Sequence, residues 1–94
     1  MLILITGPQG AGKTYIGRGL ESTYLIQDLR CIRHDGERQI TARLLQHDLN
    51  IADRVIVEAQ VESYAAALEL IRRFPAPVDH HIHVGYPSEI GQTA

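Results

Sequence analysis

Cysteine, excess charge and long apolar runs are all scarce in this sequence of 94 residues. With Cys31 as its single cysteine, the chain cannot form an internal disulfide, and we expect a reducing compartment, the cytoplasm. Nine basic and eleven acidic residues give a formal net charge of −2, so bulk charge attracts neither nucleic acid nor membranes. The N-terminal apolar run, residues 1–5, is too short for a signal peptide or a membrane span. We therefore expect no membrane association and no strong nucleic-acid binding.

The length and composition of the sequence fit one small globular domain. Ninety-four residues build one hydrophobic core and leave no material for a second. Apolar residues make up 45% of the sequence and charged residues 21%, which is the ordinary balance of a globular domain. We predict a single domain over residues 1–87, followed by a flexible C-terminal tail over residues 88–94.

Strand-like and helix-like patterns alternate along the sequence. Short apolar or β-branched runs predict four strands, over residues 2–6, 24–29, 54–59 and 80–84. Helical spacing of apolar residues predicts three helices between them, over residues 12–20, 37–49 and 61–74. Asp35 is placed to cap the second helix. This order predicts an α/β fold of three layers, built on a small four-stranded parallel sheet.

Two features of the predicted helices concern packing. Gly17 and Gly19 are poor helix formers, and we interpret them either as positions where the first helix packs closely against the sheet or as a sign that the helix frays after Arg18. Tyr64, Leu68 and Ile71 recur at helical spacing and are the predicted inner face of the third helix.

The first predicted strand runs directly into the segment GPQGAGKT, Gly7 to Thr14. This segment fits G-x-x-x-x-G-K-[ST], the phosphate-binding loop or Walker A motif, in the required context of a strand before and a helix after. Its glycines allow successive N–H groups to point inward as an anion nest, and the following helix adds its positive end. The alternative is a glycine-rich turn with a surface lysine, which leaves the pair Lys13 and Thr14 unexplained.

Nine residues form the predicted nucleotide-binding set: Gly7, Pro8, Gln9, Gly10, Ala11, Gly12, Lys13, Thr14 and Tyr15. Within it, the ammonium group of Lys13 is expected to reach the β- and γ-phosphates of a nucleotide. The hydroxyl of Thr14 is expected to ligate Mg²⁺.

The chain resembles the P-loop nucleoside triphosphatases and kinases in the eight residues of the motif, Gly7 to Thr14, and in the order of its predicted elements. The resemblance implies a second motif, an apolar strand that ends in an acid holding the Mg²⁺ shell, and RVIVEAQ supplies Glu58. Hydrolytic members carry Asp followed by Glu, whereas Glu58 stands between Val57 and Ala59. Glu58 therefore either holds the metal or activates water, and Gln60 is a further candidate for orienting a water.

The resemblance also implies a polar residue that senses the γ-phosphate from the end of a neighbouring strand. His83 is the candidate by position, with His81 on the same face and His80 alongside. The three histidines also suggest a metal site, but no nearby cysteine and no second cluster of ligand residues completes the coordination of a zinc ion. We interpret them as one buried, hydrogen-bonded ring with the others at the edge of the sheet.

The first functional hypothesis is a minimal domain that binds a nucleoside triphosphate with Mg²⁺ and hydrolyses it slowly. Lys13 and Glu58 are the expected catalytic residues, and Thr14 and Glu58 the expected metal ligands. ATP is preferred to GTP only for its abundance. No arginine finger can be assigned among Arg18, Arg72 and Arg73, so we expect self-assembly or a protein partner to complete the site.

The alternative is a reduced small-molecule kinase. In the kinases that the chain resembles, an acid at the end of the second strand binds the acceptor, which points to Asp28, with Arg30 and Arg33 as clamps for anionic groups. The sequence after the fourth predicted strand holds no lid, and closure is what protects phosphoryl transfer from water. A third hypothesis is a scaffold that binds nucleotide only to remain folded.

Overall fold

A computed structural model describes residues 1–35 and 40–85, and over these ranges strands and helices alternate along the chain. Four strands are present in the described part: β1 (Leu2–Gly7), β2 (Cys31–His34), β3 (Arg54–Gln60) and β4 (His80–His83). Three helices connect them: α1 (Lys13–Ile26), α2 (Ala42–Ile51) and α3 (Tyr64–Arg73). None of these helices combines the length and the apolar character that crossing a bilayer requires.

The four strands form one parallel sheet in the order β2-β3-β1-β4, which confirms the predicted α/β class and the small parallel sheet. β3 lies directly beside β1, in register from Leu2 opposite Val55 to Gly7 opposite Gln60. Because the strands are parallel, their C-terminal ends meet at one edge of the sheet, which we call the carboxyl edge. The loop that follows β1 begins at this edge.

Helices cover both faces of the sheet. On one face Ile3, Ile5 and Ile56 are buried under α1, through the side chains Ile16, Leu20 and Tyr24. On the other face Leu2, Leu4, Val55 and Val57 are buried under α2 and α3, chiefly through Leu45, Leu70 and Phe74. Alternate residues of β1 and β3 therefore serve two apolar clusters, as expected for strands covered on both sides.

The strand predicted over residues 24–29 is wrong, because α1 continues to Ile26 and β2 begins only at Cys31. The reason is visible in the spacing of the side chains that α1 buries. Ile16, Leu20 and Tyr24 are four residues apart, so they lie on one stripe of a continuous helix. The true second strand has four residues, and two of them are Arg33 and His34. A search for short apolar runs therefore does not identify it.

The predicted boundaries of the other two helices also need correction. α2 is capped by Thr41, whose hydroxyl accepts the N–H of Leu44 at 3.1 Å, and not by Asp35. α3 begins after Ser63, whose hydroxyl accepts the N–H of Ala66 at 3.1 Å. Residues 37–39, the start of the predicted second helix, and the predicted tail lie outside the described residues.

The predicted inner face of α3 is largely wrong. Tyr64 and Leu68 are 50% and 43% exposed, whereas Ala67 is fully buried. Ile71 packs against the core as predicted, together with Leu70. Starting the helix at Tyr64 rather than Val61 leaves its spacing unchanged, so the error came from favouring large side chains over the small alanine that allows close approach to the sheet.

Gly17 and Gly19 give a matched pair of substitutions within α1. A Cβ at Gly17 would stand 2.5 Å from Oε2 of Glu58, whereas a Cβ at Gly19 would meet nothing within 4 Å. We expect Gly17→Ala to destabilise the fold by about 1–3 kcal/mol, as overpacking does. Gly19→Ala should leave stability unchanged or raise it by up to about 1 kcal/mol through helix propensity. Urea unfolding measures both, and equal effects at the two positions would contradict the packing described for Gly17.

Candidate functional site

The loop between β1 and α1 has the backbone that its glycines allow. Gly10 and Gly12 have φ angles of 78° and 97°, in the left-handed region that residues with a Cβ rarely adopt. The carbonyl of Pro8 accepts the N–H of Ala11 at 3.3 Å and the ammonium group of Lys13 at 2.8 Å. Lys13 therefore lies across the loop, with its charge held above the loop backbone.

The N-terminus of α1 differs from those of α2 and α3. Thr41 and Ser63 cap α2 and α3 with side-chain hydroxyls, whereas α1 has Gly12 at its N-cap position and no side-chain cap. The first turn of α1 contains no acidic residue, which is also true of α2 and α3. Its first-turn N–H groups and the positive end of the helix dipole therefore face the space above the loop, an arrangement suited to an anion.

The structure brings together the two predicted metal ligands, which are 44 residues apart in the sequence. The hydroxyl of Thr14 donates to Oε1 of Glu58 at 2.8 Å. Glu58 lies within β3, two residues before its end, and is only 3% exposed. In register it stands opposite Ile5, on the face of the sheet that α1 covers. Because Thr14 gives its only proton to Glu58, the lone pairs of its oxygen stay available to a cation.

The second oxygen of Glu58 is held by Arg33 of β2. The guanidinium donates to Oε2 at 2.7 Å, and its Nε lies 3.5 Å from Oε1 of Glu21 on α1. The hydrogen bond to Glu58 is the main reason why the pKa of Arg33 is raised above its usual value, so the guanidinium stays charged. Glu21, Arg33, Glu58 and Thr14 thus form a connected chain of polar contacts, which we call the carboxylate network.

Gly17 provides the space that the carboxylate network occupies. It is buried on α1 between Thr14 and Glu21, on the same stripe of the helix. A Cβ there would be 3.2 Å from Cδ of Arg33, as well as in contact with Glu58. The prediction that Gly17 packs closely is confirmed, whereas Gly19 faces open space and its predicted packing is wrong.

The residues at this place suit Mg²⁺. The cation prefers hard oxygen ligands at about 2.0–2.1 Å in octahedral geometry, so neighbouring ligand oxygens are about 2.9 Å apart. Oγ1 of Thr14 and Oε1 of Glu58 are 2.8 Å apart, close to that spacing. One is a hydroxyl and the other a carboxylate oxygen, both at the base of the loop. The donor set therefore fits the cation that the sequence resemblance implies.

Two histidines meet a buried threonine on the other face of the sheet. Oγ1 of Thr6 lies 2.7 Å from Nε2 of His81 and 2.9 Å from Nδ1 of His83. The ring of Tyr64 stacks on His81 and meets His83 edge-on. His81 and His83 share a face as predicted, and both are partly buried beneath the start of the loop. His80, by contrast, is exposed. Over residues 1–35 and 40–85, no three His, Cys, Asp or Glu side chains are grouped to hold a metal ion.

The predicted acceptor site at Asp28 is contradicted by the position of this residue. Asp28 lies in the turn between α1 and β2, with φ 62°, and so precedes β2 instead of following it. It is at the opposite edge of the sheet from the loop. Arg30 is there too, where its N–H donates to Asp53 and its guanidinium to the carbonyl of Ile51. The acceptor hypothesis depended on the strand predicted at residues 24–29. Because that prediction is wrong, Asp28 does not end a strand and is not where the hypothesis requires it.

The arginine candidates lie on two helices. Arg72 and Arg73 are the last residues of α3 and both pair with Glu69, and Arg73 also lines a cavity that Glu58 and Gln60 share. Arg18 is exposed on α1. Gln60, by contrast, is the last residue of β3 and stands opposite Gly7, beside the loop, as its candidate role requires.

Sequence reasoning missed two polar side-chain pairs at the C-terminal end of β2. Arg33 was considered only as an acceptor clamp, although it contacts Glu58. His34 contacts the buried Asp48 of α2 at 2.5 Å, which ties β2 to α2. No local pattern identifies these partners, because a strand of four residues with two polar side chains reads as a loop. Only the register of β2 against β3 shows them.

Comparison with known proteins adds no relationship: no protein-family model matches the chain, and no curated protein matches it.

The histidine pair makes stability depend on pH. Burial lowers the pKa of His81, and the neighbouring His83 lowers it further. The unfolded chain then binds the proton more readily than the folded chain, so stability is complete above the unfolded pKa of about 6.5 and is lost as pH falls below it. We expect the free energy of unfolding to fall from about pH 7 to pH 5. His81→Gln should reduce that fall, and His80→Gln should not. Urea unfolding across this range tests the expectation, and identical pH profiles for the two variants would refute it.

Proposed function

We propose that the chain binds a nucleoside triphosphate together with Mg²⁺ and hydrolyses it slowly, as a P-loop domain. The observation that carries the proposal is the 2.8 Å contact between Thr14 of the loop and Glu58 of β3. The sequence motif predicted the first residue as a magnesium ligand, and the resemblance to the P-loop families implied the second. A glycine-rich turn with a surface lysine gives no reason for a loop threonine to meet a buried acid.

The loop and the start of α1 supply the binding groups for the phosphates. The N–H groups at the uncapped N-terminus of α1 and the helix dipole favour a negative charge above Gly10 and Gly12. The ammonium group of Lys13 now donates to the carbonyl of Pro8, and a phosphate oxygen is a stronger acceptor for it because it is charged. We infer that, when nucleotide binds, Lys13 gives up its hydrogen bond to the carbonyl of Pro8 and donates to a phosphate oxygen instead.

Glu58 has the role of a metal-site acid rather than a general base in this proposal. Both of its oxygens already accept hydrogen bonds, from Thr14 and from Arg33. Each carboxylate oxygen keeps a further lone pair, so Oε1 can accept from Thr14 and still bind a cation beside the loop. Thr14 and Glu58 would hold Mg²⁺, which when bound would offset the negative charge that develops on the phosphate. Val57 and Ala59 flank Glu58, so the acid has no carboxylate neighbour to activate water, which accounts for slow hydrolysis.

A partner, or a second copy of the chain, is part of the proposal because no arginine finger is assigned within the chain: Arg72 and Arg73 pair with Glu69, and Arg18 is exposed. An arginine supplied in trans can add about 10³–10⁵ to the turnover of such a site. ATP is the proposed nucleotide only because it is the most abundant nucleoside triphosphate. The cytoplasm is the proposed compartment because Cys31 is the single cysteine of the sequence. The kinase alternative has no observation in its favour once Asp28 lies at the opposite edge.

Lys13 is the only lysine of the sequence, which makes its removal a clean test. We expect Lys13→Ala to weaken ATP binding in the presence of Mg²⁺ by about 10- to 100-fold, since a charged hydrogen bond to phosphate is lost. Calorimetric titration with ATP measures the affinity, and phosphate release from the same sample measures hydrolysis. Arg72→Ala removes an exposed charge that pairs with Glu69 and should change neither quantity.

Two results of this experiment would count against the proposal. Failure of the unaltered chain to bind millimolar nucleotide would contradict nucleotide binding itself. Urea unfolding of the nucleotide-free Lys13→Ala variant measures its stability. A loss of stability would favour the scaffold hypothesis, because the residues of the site would then contribute to the free energy of folding. Binding without phosphate release would retain the site and exclude hydrolysis by the isolated chain.

A further inference from the structure

The carboxylate of Glu58 needs something to fix its orientation. Its side chain has three rotatable bonds, and the contact with Thr14 alone would leave the carboxyl group free to turn. Its side chain is only 2% exposed, so water does not solvate the second oxygen in place of a protein donor. Arg33 fills that need, with a hydrogen bond of 2.7 Å to Oε2.

The sheet places Arg33 where it can hold this oxygen and no other part of the site. In the register of β2 against β3, Arg33 stands opposite Ile56, and Glu58 is its diagonal neighbour toward the carboxyl edge. Diagonal neighbours on one face are within reach of long side chains. Arg33 lies behind Glu58 as seen from the loop, so it contacts the metal-site acid and not the loop itself.

Arg33 is itself anchored from a second direction. Its side chain is 17% exposed, and Glu21 of α1 lies 3.5 Å from its Nε. Gly17 leaves the space in which Arg33 and Glu58 pass under α1. A planar guanidinium that is hydrogen-bonded to Glu58 and ion-paired with Glu21 is a more exact support for a carboxylate than a flexible ammonium group would be.

We infer that Arg33 is a positioning residue for the magnesium site: by fixing Oε2 of Glu58 it keeps Oε1 turned toward Thr14 and the loop. The inference rests on the proposed function, and adds to it a residue that neither motif contains. Residues that hold a metal ligand from behind typically contribute about 10- to 100-fold to metal affinity. Arg33 should therefore affect nucleotide binding only when the divalent cation is present.

The experiment is a calorimetric titration with ATP, once with Mg²⁺ and once with EDTA. We expect Arg33→Met to weaken binding with Mg²⁺ by about 10- to 100-fold and to leave binding in EDTA unchanged. Arg33→Lys, which keeps the positive charge but not the planar guanidinium group, should recover part of the loss. Arg30→Met removes an exposed arginine at the opposite edge and should match the unaltered chain in both titrations.

A double-mutant comparison shows whether Arg33 acts through Glu58. Glu58→Gln should weaken binding with Mg²⁺, and adding Arg33→Met to it should cost nothing more, because the oxygen that Arg33 positions is no longer that of a metal-binding carboxylate. Independent, additive losses would overturn the inference. Equal losses with Mg²⁺ and with EDTA would overturn it as well, since they are the mark of a merely structural ion pair.

The outcomes for the inference and for the proposed function are separable. If the unaltered chain binds ATP and Arg33→Met binds it equally well with Mg²⁺, the inference fails and the proposed function stands. If the unaltered chain does not bind ATP in either titration, both fail together. If circular dichroism shows that Arg33→Met does not fold, Arg33→Lys carries the test: a loss confined to Mg²⁺ supports the inference, and unchanged affinity overturns it.

Discussion

The buried carboxylate of Glu58 constrains the position of every element around it. A charged group in the interior must be paired and hydrogen-bonded, because its desolvation costs several kcal/mol otherwise. One oxygen takes its donor from α1, through Thr14, and the other takes its donor from β2, through Arg33. A single side chain therefore connects β2, β3 and α1, in addition to the β2–β3 pairing and the apolar packing of α1. The helix can approach closely enough for these contacts only because position 17 is a glycine.

The same constraint sets the geometry of the loop. Thr14 is the second residue of α1, so anchoring it to β3 also anchors the N-terminus of the helix beside the end of β1. The left-handed conformations of Gly10 and Gly12 then connect the strand to the helix over a short span. The outcome is a helix N-terminus with no side-chain cap and one lysine lying across it. This is the part of the molecule on which the proposal of nucleotide binding depends.

The parts that the sequence predicted well are those with a local signal. The apolar runs of β1 and β3, the glycine-rich loop between strand and helix, and the acid near the end of β3 all follow from neighbouring residues. β2 could not be predicted in this way, because Arg33 and His34 owe their places to partners on β3 and α2. That miss had a consequence for the site, since it moved Asp28 to the wrong edge of the sheet. It also hid Arg33, whose partner is 25 residues away in the sequence.

The most direct test of the account uses Mn²⁺ as a paramagnetic substitute for Mg²⁺, since both take oxygen ligands. Amide signals of the chain would be recorded by NMR with ATP, before and after addition of a small amount of Mn²⁺. The account expects selective broadening at Gly12, Thr14 and Glu58, and sharp signals at Asp28 and Arg30. Broadening centred on the edge that holds Asp28, or no selective broadening at saturating ATP, would contradict the claim that the loop and Glu58 form one cation-dependent nucleotide site.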